Sequence, residues 1–309
     1  MISANIVGGL GNQLFIIFNA LAQSIRTCRP VVFLKMNYLS GEGIYARFSY
    51  WNTFLCALEP YLVKEFPTDM QQYIMRESGF HYTPIYLPEY DSESKAESKA
   101  ESESKSKANN NMYIFDGYFQ SYKYFDQEYP KIINMIGLEE KQEQYTKKWF
   151  MKNGLIPENT ASMHFRLGDY KAKPEFHPIM PYEYYEKSLE YISENTKITH
   201  SNLTHILYFC ELEDLEIVNT HVSKLKQKFP HYIFNSIISN YPKLQDYDEL
   251  IVMSICAHNI IANSSFSWWG AYFNRNPGKL VCYPSVWFGP HYPVHTGDIC
   301  PPSWKKIEI

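Results

Sequence analysis

Three short stretches of this chain carry polar and charged side chains where a buried strand or a plain turn would be apolar. "ASMHFRLGDYK" (161–171) runs from an apolar strand into His164, Arg166 and Asp169 around Gly168. A guanidinium offers a planar fork of donors suited to a phosphate, and a glycine lets the chain turn sharply beside it. Alternate residues of a strand share a face, so His164 and Arg166 are expected to point one way and Leu167 the other. "ANSSFSWWG" (262–270) brings Asn263, Ser264, Ser265 and Ser267 to a helix start, where hydroxyls and free backbone amides make an anion site. "GGLGNQ" (8–13) is a glycine-rich turn whose Gly8, Gly9 and Gly11 allow close approach of an anion to the backbone.

Each stretch also has a plainer reading. Arg166 and Asp169 can form a structural ion pair, the serines can be ordinary N-caps, and the glycines can make a tight βα turn. No Gly-Lys-Ser/Thr follows the glycines, so they are not a P-loop. Leu14 stands where a dinucleotide fingerprint needs its third glycine, and no acid follows near Met36.

The elements that would position these residues alternate regularly in the second half. Strands are expected at 205–210, 232–236, 259–263 and 279–283, with helices at 214–229, 246–258 and 265–274 between them. Ile217, Val218, Val222, Leu225 and Phe229 form one apolar stripe on the first of these helices. Such alternation implies a mostly parallel, doubly wound sheet. The first half begins similarly, with a strand at 4–7, a helix from about Gln13 to Arg26 and a strand at 31–36. Residues 91–111, "DSESKAESKAESESKSKANNN", hold almost no apolar side chain and read as a low-complexity insertion without chemistry of its own.

Bulk properties narrow the classes. A chain of 309 residues suits two domains, and the expected division is 1–158 and 159–309. A net charge of −4 gives no basic surface for nucleic acid or for an anionic membrane. The six cysteines form no C-x-x-C pair, so reduced and mostly buried thiols are expected. No signal core opens the sequence and no apolar run is long enough to span a bilayer, which suggests a soluble cytoplasmic chain.

Taken together, "GGLGNQLF", "HFRLGDY" and "IIANSSFSWWGAYFN", in this order, resemble the α-1,2-fucosyltransferases of glycosyltransferase family 11. "FHPIMPYEYYEKSLEYI" and "YFCELEDLEIV" extend the resemblance over nearly the whole chain apart from 91–111. The resemblance implies an α/β GT-B type fold, with two Rossmann-like doubly wound domains and an active site in the cleft between them. It implies that the C-terminal domain holds GDP-fucose and the N-terminal one a galactose-terminated acceptor. The implied reaction is inverting transfer of L-fucose to a galactoside hydroxyl, without metal or other cofactor. Arg166 matches the motif arginine at the diphosphate, and His164 the residue near the nucleoside. Asn263, Ser264, Ser265 and Ser267 fall in the phosphate-binding loop and helix start, and Gly9, Gly11 and Asn12 in the N-terminal loop. Many members carry two adjacent arginines, and here the second position is Leu167.

The chemistry fits a strand ending in charge. Negative charge grows on the departing phosphate, and a fixed guanidinium with oriented N–H groups stabilises it where other transferases use a metal. The acceptor hydroxyl must lose a proton, for which Asp169 is the candidate base, with loop ordering as its alternative role. Three other readings stand beside this one. Asp246-Tyr247-Asp248 is a literal D-x-D that a metal-dependent transferase would use, although it opens an apolar helix and suits capping better. A fucosyltransferase of another linkage (α-1,6 or protein O-linked) is the second, and a catalytically silent sugar-binding homologue is the third.

Overall fold

The computed structural model describes residues 1–41, 44–89, 110–198, 202–292 and 295–309. The low-complexity segment lies outside the described residues except for its end, where Asn111 already opens a strand. Contacts divide the chain into two compact units, Met1–Leu138 with His295–Ile299, and Glu139–Val294 with Cys300–Ile309. Residues 139–158, expected on the N-terminal side, belong to the second unit. The reason is packing: Tyr145, Trp149, Phe150 and Leu155 are part of an apolar cluster with Leu207, Phe209 and Val252.

The first unit holds a three-stranded parallel sheet of β1 (Ile2–Ala4), β2 (Gln71–Arg76) and β3 (Asn111–Asp116) in the order β1-β3-β2. This is a smaller sheet than the doubly wound domain expected there. Helix α1 (Leu10–Thr27) is buried on nearly every side from Leu10 to Gln23, as its apolar sequence requires. It starts earlier than expected and β1 ends sooner, because Gly9 in extended conformation caps the helix and Gly8 turns at φ 78°. The expected strand at 31–36 shrinks to Phe33–Leu34, paired with Leu62–Val63. An antiparallel pair, Tyr38–Gly41 with Ile44–Phe48, follows it.

The second unit is built on a six-stranded, wholly parallel sheet. Its strands are β4 (Thr160–His164), β5 (His205–Phe209), β6 (Ile233–Ser236), β7 (His258–Ile260), β8 (Val281–Pro284) and β9 (Lys305–Ile307). They lie in the order β6-β5-β4-β7-β8-β9, the doubly wound order of dinucleotide-binding sheets. Helices α2 (Tyr182–Ile198), α3 (Leu215–Lys228), α4 (Asp246–Ile255) and α5 (Ser265–Tyr272) accompany it.

Period-two alternation sends each strand's side chains to opposite faces, and both faces are covered. On β5, Ile206 and Tyr208 join the cluster with Tyr184, Tyr185, Leu189 and Val222 from α2 and α3. Leu207 and Phe209 join the other cluster, with Val252 and Met253 from α4. The stripe on α3 is buried at Val218, Val222, Leu225 and the C-cap Phe229, while Ile217 is left 45% exposed. Asp246 and Asp248 open α4, and Asp248 forms a capping box with Gln245, accepting from the Gln245 backbone at 2.8 Å. The D-x-D is therefore a helix start, as expected. All six cysteines are free, with Cys28 and Cys56 exposed. Among the described residues no helix is long and apolar enough to cross a membrane.

Candidate functional site

In a sheet of this order, β4 and β7 are the neighbours from which the chain departs in opposite directions. The crevice beyond the carboxyl ends of such a pair is where open α/β sheets take ligands. The β4 end carries His164 and Arg166, and the β7 end runs into Asn263, Ser264 and α5. The two motifs singled out in the second half thus meet at one place in the sheet.

β4 ends at His164, yet the alternation continues past it. Phe165 and Leu167 are buried in the α2/α3 cluster, Phe165 stacking on Tyr185 at 4.0 Å. His164 faces the other side, 5.7 Å from the ring of Phe266 at the start of α5. Leu167, at the position of a second arginine, is 6% exposed and part of the core. Burial, and then the neighbouring Arg166 charge, lower the His164 pKa to about 3, so the imidazole is neutral near pH 7. Its Nδ1 is buried without a hydrogen-bond partner among the described residues.

Arg166 spreads its fork between two carboxylates: one terminal nitrogen donates to Glu211 and the other to Asp169. Its guanidinium also lies 5.0 Å from the centre of the Tyr170 ring. The ion pair between Arg166 and Asp169 is therefore present. The turn beneath it is pinned from below. Asp214, fully buried, accepts from the Gly168 backbone N–H at 2.7 Å and from Lys171 Nζ at 2.6 Å. Tyr170 stacks on His177 at 4.6 Å and donates to the Asn263 carbonyl at 3.1 Å, which ties this turn to the one after β7.

The second turn is held by its own polar groups. Ser264 caps α5, its Oγ accepting from Phe266 N at 3.3 Å. Ser267 is buried and donates to the Ser264 carbonyl at 3.5 Å, while Ser265 is half-buried. Asn263 donates from Nδ2 to the carbonyls of Pro178 at 2.9 Å and Trp287 at 3.1 Å. Its side-chain oxygen is buried without a partner among the described residues. Trp268 and Trp269 are fully buried core residues.

Gly9, Gly11 and Asn12 belong to the first unit. Gly9 is the N-cap of α1, Gly11 lies in its first turn, and Asn12 accepts from Gln120 Nε2 at 3.0 Å. A Cβ at Gly8 would stand 2.7 Å from the Asn12 side chain, so that turn needs a glycine for both space and dihedral.

Glu211, Glu213 and Asp214 bring carboxylate oxygens within 4.8 Å of one another. Each lies against a cationic side chain: Glu211 pairs with Arg166, and Lys171 is shared between Asp214 at 2.6 Å and Glu213 at 3.6 Å. In this arrangement they form an ion-pair network with Arg166 and Lys171.

Comparison with known proteins agrees with the motifs. The model of "Glycosyl transferase family 11" matches residues 80–305. The chain belongs to this family. Among curated proteins, this family 11 chain is 30% identical over 183 residues to an O-antigen biosynthesis glycosyltransferase, WbnK, of Escherichia coli, covering 58% of this chain and 56% of that one. It is 28% identical over 153 residues to an Escherichia coli alpha-1,2-colitosyltransferase, covering 48% of each. The chain thus spans about half the length of these curated relatives. Among solved structures, an Arabidopsis thaliana FUT1 mutant in complex with GDP aligns with 91% of this chain and 69% of its own at 9% identity and TM-score 0.45. A family 9 glycosyl transferase from Veillonella parvula aligns with 55% and 41% at 18% identity and TM-score 0.32.

Sequence reasoning missed Glu211, Asp214 and Tyr170 as members of the site. A signal existed for the first: Glu211 follows "HILYFC", the strand adjacent to β4, and so stands at the same carboxyl edge. Nothing in the sequence indicated that Asp214 would be buried under the Arg166 turn.

Proposed function

We propose that this protein transfers L-fucose from GDP-β-L-fucose to a hydroxyl of a galactose-terminated acceptor, with inversion, to give an α-1,2 linkage. The observation that carries the reading is the Arg166 fork at the carboxyl edge where the sheet order reverses. The α-1,2 linkage is supported by the likeness to the alpha-1,2-colitosyltransferase. In the same reading the second unit takes the nucleotide and the first the acceptor, in a GT-B arrangement.

The bond from fucose C1 to the phosphate oxygen breaks as the acceptor oxygen bonds to C1, and GDP departs with the electron pair. Arg166 exchanges its carboxylate partners for the diphosphate and stabilises the charge growing there. Amides at the start of α5 add donors to the same anion. This releases Asp169, to which we assign removal of the acceptor proton. His164 Nδ1 and the Asn263 side-chain oxygen, buried and unpaired, would find polar partners in the donor. Leu167 supports the turn from the core side and leaves the charge work to Arg166 and backbone donors.

The test is a screen of galactose-terminated acceptors with GDP-fucose in excess EDTA, with linkage analysis of the product. Metal-independent α-1,2 transfer is expected. Activity abolished by EDTA and restored by manganese would remove the metal-free mechanism, and GDP binding without turnover on any acceptor would favour a silent homologue. The colitosyltransferase relative makes a colitose nucleotide the one alternative donor to include.

A further inference from the structure

Arg166 meets two carboxylates that are far more open to water than it is. The side chains of Glu211 and Asp169 are 51% and 50% exposed, against 21% for Arg166. The guanidinium is fixed by Tyr170 and the turn, while either carboxylate can swing into solvent at small cost.

Room for Glu211 is made by Gly168. The backbone there has φ 38°, and a Cβ would stand 2.9 to 3.1 Å from the Glu211 carboxylate atoms. Asp214, neutralised by Lys171, holds that glycine in place through its N–H. Glu211 therefore reaches Arg166 across a surface whose position is set from beneath.

We propose that Glu211 is a displaceable counter-ion of Arg166, holding the fork extended and competing with the diphosphate for it. This positioning role rests on the reading of Arg166 as the diphosphate-binding residue. Ligand binding is then an exchange of ion pairs at a preset guanidinium. The departing carboxylate stays near the incoming anion and weakens its hold, which favours release of GDP after transfer.

The test titrates GDP, and separately inorganic pyrophosphate, into the full-length wild type, Glu211→Gln, Glu211→Ala and Arg166→Ala, with melting temperatures on the same preparations. Glu211→Gln keeps an oxygen acceptor but removes the competing charge. It is expected to bind both ligands about fivefold more tightly, the scale of one partly screened charge contact. Glu211→Ala should show the same direction, and stands in for it if the amide variant fails to fold. Raising the salt concentration should shrink the gain. Unchanged or weaker binding in both folded Glu211 variants, with binding still lost in Arg166→Ala, overturns the counter-ion role alone. A wild type that binds neither ligand, or an Arg166→Ala variant that binds both normally, overturns the diphosphate reading and the inference with it.

Discussion

The turn after β4 and the turn after β7 leave neighbouring strands at the same edge, but they satisfy their polar groups in opposite ways. After β4 the groups are ionic and reach outward: Arg166 pairs with Glu211 and Asp169, both half exposed. After β7 they are neutral and folded inward: Asn263, Ser264 and Ser267 are buried and bond to nearby backbone. An ionic turn can trade its partners for a ligand's charge at little cost in stability, because water screens the exposed carboxylates. A buried neutral turn loses stability when its bonds are broken, and so suits a fixed support.

The comparison predicts that variants of the first turn lose activity and variants of the second lose stability. The largest effect is expected at Arg166, where Arg166→Ala should lower the transfer rate roughly 10²-fold or more, the scale for one pre-organised donor. Arg166→Lys should rescue poorly, since an ammonium keeps the charge without the two-pronged geometry. Near-normal kcat in a folded Arg166→Ala protein would break the contrast outright.

Next comes Asn263, whose amide serves two buried carbonyls. Asn263→Ala should cost about 2 kcal/mol or more of stability in denaturant unfolding, from acceptors left unsatisfied. A variant as stable as the wild type but unable to bind GDP would show that Asn263 acts mainly on the ligand. A smaller loss is expected for Ser264→Ala, about 1 kcal/mol for an N-cap hydroxyl, with Ser264→Asp retaining most of the stability. If the alanine variant leaves unfolding unchanged, the cap bond to Phe266 contributes little.

A separate effect is a pH dependence with two limbs. His164 has its pKa lowered from 6.5 to about 3, by burial first and Arg166 second. The unfolded chain therefore binds the proton more readily, and stability falls as pH drops through that window. Glu249 has its pKa raised from 4.5 to about 8, by burial and then by Asp246, Asp248 and Glu211. Here the folded state holds the proton, so stability falls as pH rises through that range. Melting temperatures across pH should show His164→Gln flattening the acid limb and Glu249→Gln the alkaline one. Parallel curves for either variant and the wild type would exclude that residue as the source.

Much of the second unit was legible because local signals and burial agreed. β5 and α3 fall within a residue or so of their expected limits, since each has an unbroken apolar period. β7 spans His258–Ile260 and not the expected 259–263, because the apolar run continues into the buried Ile261 and Ala262 after pairing ends. The first unit was read less well. Its sheet joins β1 to β3, which lies more than a hundred residues further on, and pairing at that separation leaves no local period.

What the amino-acid order alone determined here is local chemistry: a guanidinium after a strand, a hydroxyl at a helix start, glycine at a tight turn. It also determined the family, through motifs whose order and wording survive without any structure. Only the tertiary structure decided which of these meet. Strand order put the ends of β4 and β7 side by side, and the same order brought Glu211 from β5 onto Arg166. Burial decided the rest, making His164 neutral and setting Asp214 beneath Gly168. These are properties of residues distant in sequence, fixed by which apolar faces of the sheet had to be covered and by the hydrogen bonds left to satisfy at its edge.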